Sequence, residues 1–162
     1  MAAKQFWLMK SEPDAFGIAD LKRVKREPWT GVRNYQARNF MRQMKVGDAV
    51  LFYHSNAKPS GVAGLATVSK AGIVDETQFD PASKYFEPKA TRDKPIWDCV
   101  EVKFESAFAD VLPLDALRSM RGLEDMWILR RGTRLSVTPV TAREYDIVVA
   151  AASGSAAKKS SR

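Results

Sequence analysis

From Asn34 to Lys45 the apolar side chains fall at Ala37, Phe40, Met41 and Met44, spaced i, i+3, i+4, i+7. That period predicts an amphipathic helix with these four as its buried stripe and Arg38, Arg42 and Lys45 on another face. Asn34 is the expected N-cap, since its side-chain oxygen can accept an amide that a helix start leaves unpaired. Ala49 to His54 (AVLFYH) is instead a run of β-formers. Its alternation sets Leu51, Tyr53 and Ser55 on one face and Val50, Phe52 and His54 on the other. Lys4 to Lys10, Gly61 to Val74, Trp97 to Phe104 and Leu135 to Thr138 read as further strands, with Trp7 and Met9 as core. Short helices are expected at Ile18 to Val24, Leu112 to Met120 and Leu123 to Arg131. A last helix, Thr141 to Ala152, opens on a capping box of Thr141 and Glu144. Asp75 to Pro95 has no period and holds Pro81, Pro88 and Pro95, so it reads as a long ordered or semi-ordered loop, a kind of segment that tends to be functional.

Strands broken by short helices, with no regular βαβ alternation, predict a mixed α+β domain around a curved or closed sheet. A length of 162 residues with 45% hydrophobic content suits one core, expected over 1–152 and followed by a flexible basic tail at 153–162 (SGSAAKKSSR). Apolar runs such as Ile147 to Ala152 fall far short of the roughly 20 residues a membrane span needs, and no charged-then-apolar leader opens the chain. The expectation is a soluble monomer, cytoplasmic, or nuclear if the source is eukaryotic. Cys99 is the single cysteine and His54 the single histidine, which leaves no disulfide and no zinc set; no metal or cofactor is expected. No basic neighbour in sequence activates Cys99, which reads as inert.

Charge changes the picture. The net charge is +7, and Lys22 to Lys45 alone carries eight bases against Glu27, also +7, so the rest of the chain sums to zero. Asp75 to Glu105 holds eight acids against five bases. Segregated positive charge fits either a polyanion partner or a plain solvated face. Within the basic segment, WTGVRNYQARNFM (Trp29 to Met41) crowds flat, donor-rich side chains into a helix start that packing alone does not require.

WLMKSEP (Trp7 to Pro13), WTGVRNYQARNFM, GDAVLFYHSN (Gly47 to Asn56) and GVAGLATV (Gly61 to Val68) together resemble the EVE domain family. The resemblance continues through FDPASKYFEPKA (Phe79 to Ala90) and IWDCVEVKF (Ile96 to Phe104) and spans about Gln5 to Ala150. It implies a PUA-like fold, a small β-barrel flanked by short helices, related to YTH readers of N6-methyladenosine and to ASCH domains. It further implies a non-catalytic reader of a modified nucleobase in DNA or RNA. Carried over by position, the base pocket would draw on Lys10, Ser11, Trp29, Asn34, Tyr35, Arg38, Asn39, Tyr53, His54, Ser55 and Asn56. Arg33, Arg38, Arg42 and Lys45 would hold phosphates.

The residue types support part of this: Trp29, Tyr35 and Tyr53 offer π-faces, and Asn34, Asn39 and Asn56 offer groups that match a base edge. Structural roles compete at several positions. Tyr35 also suits a hydrophobic staple, Asn34 a cap, His54 a hydrogen-bonded strand end, and Trp97 and Trp127 packing. Two other functions stand beside the reader. One is an ASCH-like amidohydrolase of a modified nucleoside, with Lys10, Ser11 and Glu12 activating a nucleophile, although Pro13 ends the strand that would align them. The other is a protein-interaction domain whose basic face is incidental.

Overall fold

The computed structural model describes residues 4–132 and 134–160, with side chains described up to 153. The strands are β1 (Phe6–Ser11), β2 (Arg26–Pro28), β3 (Ala49–His54), β4 (Gly61–Val74), β5 (Asp98–Pro113) and β6 (Val137–Val140). The helices are α1 (Pro13–Phe16), α2 (Ile18–Val24), α3 (Tyr35–Gln43), α4 (Leu114–Arg118) and α5 (Ala142–Ser160). The strands form one mixed sheet in the order β2-β5-β4-β3-β1-β6, in which β1 and β3 run parallel and the other neighbours antiparallel.

The alternation expected for β3 divides the core as the sequence implies. Val50 and Phe52 join Trp7 and Met9 of β1 in one apolar cluster, with Ala66, Val100, Val102 and Val137 from the other strands and Leu21, Ala37 and Met41 from α2 and α3. Side chains from β1, β3, β4, β5 and β6 meet in this one cluster, and α3 touches both β5 and β6, which stand far apart in the strand order, so the sheet curls around it. The α+β, PUA-like architecture is therefore present as a barrel-like curl. The curl is completed by packing: α3 lies against β4, β5 and β6, while β2 and β6 remain the sheet's ends. Both end strands carry proline, Pro28 and Pro139, which lacks the amide an inner strand must donate. The opposite face, with Leu8, Leu51 and Tyr53, packs under Leu117, Leu123, Met126 and Val148.

Capping follows the sequence. Asn34 Oδ1 accepts from Ala37 N at 2.9 Å. Thr141 and Glu144 exchange amide bonds at 2.9 and 3.0 Å. Buried Asp48 accepts from Trp7 Nε1 at 3.0 Å and Lys45 N at 2.9 Å, tying the end of α3 to β1.

Several boundaries differ from expectation, β1 and β6 by about two residues and three others by more. β5 runs to Pro113 because its second half pairs with β4 as far as Gly61, so α4 is shorter than the helix expected at Leu112 to Met120. Between Leu123 and Arg131 only Trp127–Leu129 is helical, as a 3-10 turn; Gly122, at φ +98°, adopts a left-handed conformation just before it. α5 extends to Ser160, past the expected end at Ala152. The expected tail at 153–162 falls largely outside the residues whose side chains are described. β2 went unforeseen because three residues, Arg-Glu-Pro, carry no apolar alternation; pairing with β5 creates it.

Candidate nucleic-acid interface

The parallel pair β1 and β3 places Lys10 beside Tyr53 and Ser11 beside His54 where the two strands end. Two clefts open there, and Lys10 lines both.

The first, about 440 Å³, is walled by Trp29, Tyr85 and Phe16 and edged by Ser11, Glu12, Glu27, Arg33 and Ser136. Its volume lies within the roughly 300–1,000 Å³ range of small-molecule sites. Trp29 is fixed from behind: its ring meets Phe52 edge-on at 5.5 Å, and its amide donates to Val100 O at 2.7 Å. Tyr85 comes from the long loop and lies against Gly31. Gly31 has φ +87°, and a Cβ there would sit 2.7 Å from the tyrosine ring, so only glycine allows both the turn and the contact.

Tyr85 is held in place by a loop fastened at its base. Asp75, 1% exposed, accepts from Gly31 N at 2.8 Å, Arg33 Nη1 at 3.0 Å and Thr77 N at 2.9 Å. Buried Gln78 closes the other side, donating to Asp75 O and Trp97 O and accepting from the amides of Ile96 and Trp97. Arg33 also donates twice to Tyr85 O, at 3.1 and 2.8 Å, and its guanidinium lies 5.2 Å from the Trp97 ring.

The cleft holds acceptors beside the cations Lys10, Arg33 and Lys84. Ser11 Oγ donates to Phe16 O at 2.6 Å, which commits its proton and leaves its lone pairs for an incoming N–H. Glu27 has no hydrogen bond or ion pair among the described residues, and burial raises its carboxyl pKa. Burial likewise lowers the pKa of Lys10. The second cleft, about 580 Å³, receives Tyr53, Ser55 and Asn56 with Arg118, Arg130 and Arg131. Burial raises the Tyr53 phenol pKa, and nearby Arg118 opposes that shift.

The residues expected to form one pocket are thus distributed. Lys10, Ser11, Trp29 and Arg33 line the aromatic cleft, while Tyr53, Ser55 and Asn56 line the other. His54 Nε2 accepts from Ile18 N at 3.0 Å, an imidazole capping the start of α2, and burial lowers its pKa. Asn34, Tyr35, Arg38, Asn39, Arg42 and Lys45 line neither cleft. Tyr35 is 57% exposed and stacks on Trp97 at 4.9 Å. Arg38 covers the Tyr35 ring at 4.8 Å, donates to Ile96 O at 2.9 Å and holds Asn39 Oδ1. Arg42 pairs with Asp98, and exposed Lys45 follows the end of α3. Phe16, Glu27, Tyr85 and Ser136 were not anticipated as wall residues. Tyr85 lies inside FDPASKYFEPKA, so its segment was visible and its partner, Gly31, was not.

Cys99 is buried, its pKa raised to about 12 chiefly by burial and then by Asp75 and Asp98. Among the described residues no group of three or more His, Cys, Asp or Glu side chains is placed to hold a metal ion. No described helix is long and apolar enough to cross a membrane.

A model of the EVE domain matches residues 5–151. Zebrafish thymocyte nuclear protein 1 is 44% identical over 88% of this chain and 70% of its own length. Among solved structures, a hypothetical protein from Leishmania major is 49% identical with a TM-score of 0.91, covering 94% of this chain and 97% of that one. Human thymocyte nuclear protein 1, crystallised in complex with DNA containing 5-methylcytosine, is 38% identical with a TM-score of 0.87 and covers 92% of this chain and 98% of its own.

Proposed function

The chain belongs to the EVE domain family, and from that premise we propose that it is a non-catalytic reader which takes a modified nucleobase of a nucleic acid into the aromatic cleft. The observation that carries this reading is that Trp29 and Tyr85 line one cleft together with the acceptors Ser11, Glu12 and Glu27 and the cations Lys10, Arg33 and Lys84. A base lifted from its stack needs π-surface in exchange for lost stacking, and groups that match its edge. The human relative in complex with 5-methylcytosine DNA supports the ligand class.

Glu27, Glu12 and the lone pairs of Ser11 accept hydrogen bonds, so the cleft favours bases with an exocyclic amino group, as carboxylates do when they accept from cytosine. Arg33, Arg38 and Tyr35 serve the site by holding the loop that carries Tyr85, and Asn34 serves it by starting α3. Ser11 supports binding over hydrolysis, because its hydroxyl donates to the Phe16 carbonyl and not to a base that would activate it. The curated vertebrate relatives carry "nuclear" in their names, which favours the nuclear arm of the localisation expectation over the cytoplasmic one.

The test is a titration of wild type, Tyr85→Ala and Glu27→Gln against matched oligonucleotides carrying one 5-methylcytosine, cytosine or thymine. Thymine and 5-methylcytosine share the ring methyl and differ in a carbonyl against an amino group. Wild type should prefer the methylated cytosine. Tyr85→Ala should lose roughly 1 to 3 kcal/mol, the range for base-aromatic contacts. Glu27→Gln should narrow the gap to thymine, since an amide can donate to a carbonyl as well as accept. Equal binding of all three by wild type, with other modified bases showing no preference either, or release of a modified nucleoside product, would sink the reading.

A further inference from the structure

The cleft on the far side of Lys10 has a different chemistry from its neighbour. Lys10, Arg118, Arg130 and Arg131 line it, and no carboxylate does. None of the four forms an ion pair or donates a side-chain hydrogen bond among the described residues; Arg130 alone has a ring partner, Trp127, at 4.2 Å. This contrasts with Arg33 and Arg42, whose charges meet Asp75 and Asp98. Lys10 is half-buried and sits beside buried Tyr53 in the β1–β3 register, and both line the cleft. The Tyr53 hydroxyl has no hydrogen-bond partner among the described residues either.

Leaving a desolvated ammonium without a counter-charge is unfavourable unless an anion completes it. We propose that this cleft is a phosphate site: it takes a backbone phosphate flanking the nucleotide whose base fills the aromatic cleft, with Lys10, Tyr53, Arg118 and Arg131 holding it. The choice of ligand rests on the base-reading proposal, because Lys10 is shared and a phosphate held there lies next to a base held on its other side. Inorganic phosphate has the same chemistry but would have no reason to share a wall with an aromatic cleft. The site divides the labour seen in nucleic-acid recognition generally, with phosphate contacts positioning the strand and base contacts specifying it.

The experiment uses the double variant Arg118→Gln with Arg131→Gln, both exposed positions, titrated at several salt concentrations against plain and modified oligonucleotides. Affinity for both should fall by the same factor, roughly tenfold at low salt, and the dependence of log affinity on log salt should become shallower by about one unit or more. Lys70→Gln with Lys103→Gln removes equal charge from β4 and β5, where these lysines approach glutamates, and should change the slope less. Tyr53→Phe should weaken both oligonucleotides alike without altering melting temperature. Equal slopes from the two double variants would mean a solvated basic face and overturn the proposal. So would loss of inorganic phosphate binding with oligonucleotide binding unchanged. If wild type shows no base preference while the slope change persists, the base reading fails and the phosphate site stands. A retained preference with no slope change would instead remove the phosphate site and leave the base reading intact.

Discussion

His54, expected in the base pocket, lines neither cleft and serves the fold. Its Nε2 must be unprotonated to accept from Ile18 N, so the folded protein favours neutral imidazole, in agreement with its lowered pKa. The sign follows from linkage: a depressed folded pKa gives stability that is intact above the ordinary value of 6.5 and is lost as pH falls through the folded one. Urea midpoints at pH 7.5 and 5.5 should therefore drop more for wild type than for His54→Gln, whose amide oxygen accepts at either pH. Equal drops would show that the imidazole does not report on this bond. The sequence marked His54 as a hydrogen-bonded strand end, but its partner lies 36 residues away, which no local pattern reveals.

At the scale of elements, the decisive unit is the loop from Asp75 to Trp97, which carries Tyr85 to the cleft. Gly31→Ala tests that coupling. Alanine in the left-handed region costs about 1 to 3 kcal/mol by itself, and its methyl displaces the Tyr85 ring. Base preference should fall as far as in Tyr85→Ala, while salt dependence on plain DNA stays put. In a double-mutant cycle, adding Gly31→Ala to Tyr85→Ala should cost base binding little more. Fully additive losses would separate the two residues. What the sequence revealed divides along the same line. Period and capping placed α3, β3, β4 and the two faces of β3, because those signals are local. The joining of the loop to Arg33, Tyr35 and Arg38 depends on contacts across 42 to 62 residues, so their donor-rich chemistry was visible while its target was not. The resemblance to the EVE family assigned its candidate base-binding residues to one pocket, whereas the fold divides all of them but His54 between two clefts and the α3 face.

For the whole molecule, the question is how much of the +7 between Lys22 and Lys45 is available to a polyanion. In sequence this segment stands apart from the acidic stretch Asp75 to Glu105; in the fold the two meet, through Arg33 with Asp75, Arg42 with Asp98 and Arg26 with Glu101. Arg26, Arg33 and Arg42 are therefore paired within the fold, where they fasten the loop and β5, and the cations without an ion pair at the two clefts, among the described residues, are Lys10, Lys84 and the arginines of the 118–131 region, which the charge count did not single out. Arg42→Gln separates these views. Its side chain is 44% exposed and that of Asp98 is 22%, so the pair is a screened surface bridge. Its loss should lower stability by about 1 kcal/mol or less. If Arg42 held a phosphate, its removal would flatten the salt dependence by about one unit, as expected when one phosphate is left without its cation. Pairing with Asp98 implies the other outcome: a small fall in melting temperature, with the salt slope and base preference both at wild-type values. A slope change in Arg42→Gln equal to that of the Arg118 and Arg131 variant would return the α3 face to the binding surface and place the nucleic acid across it.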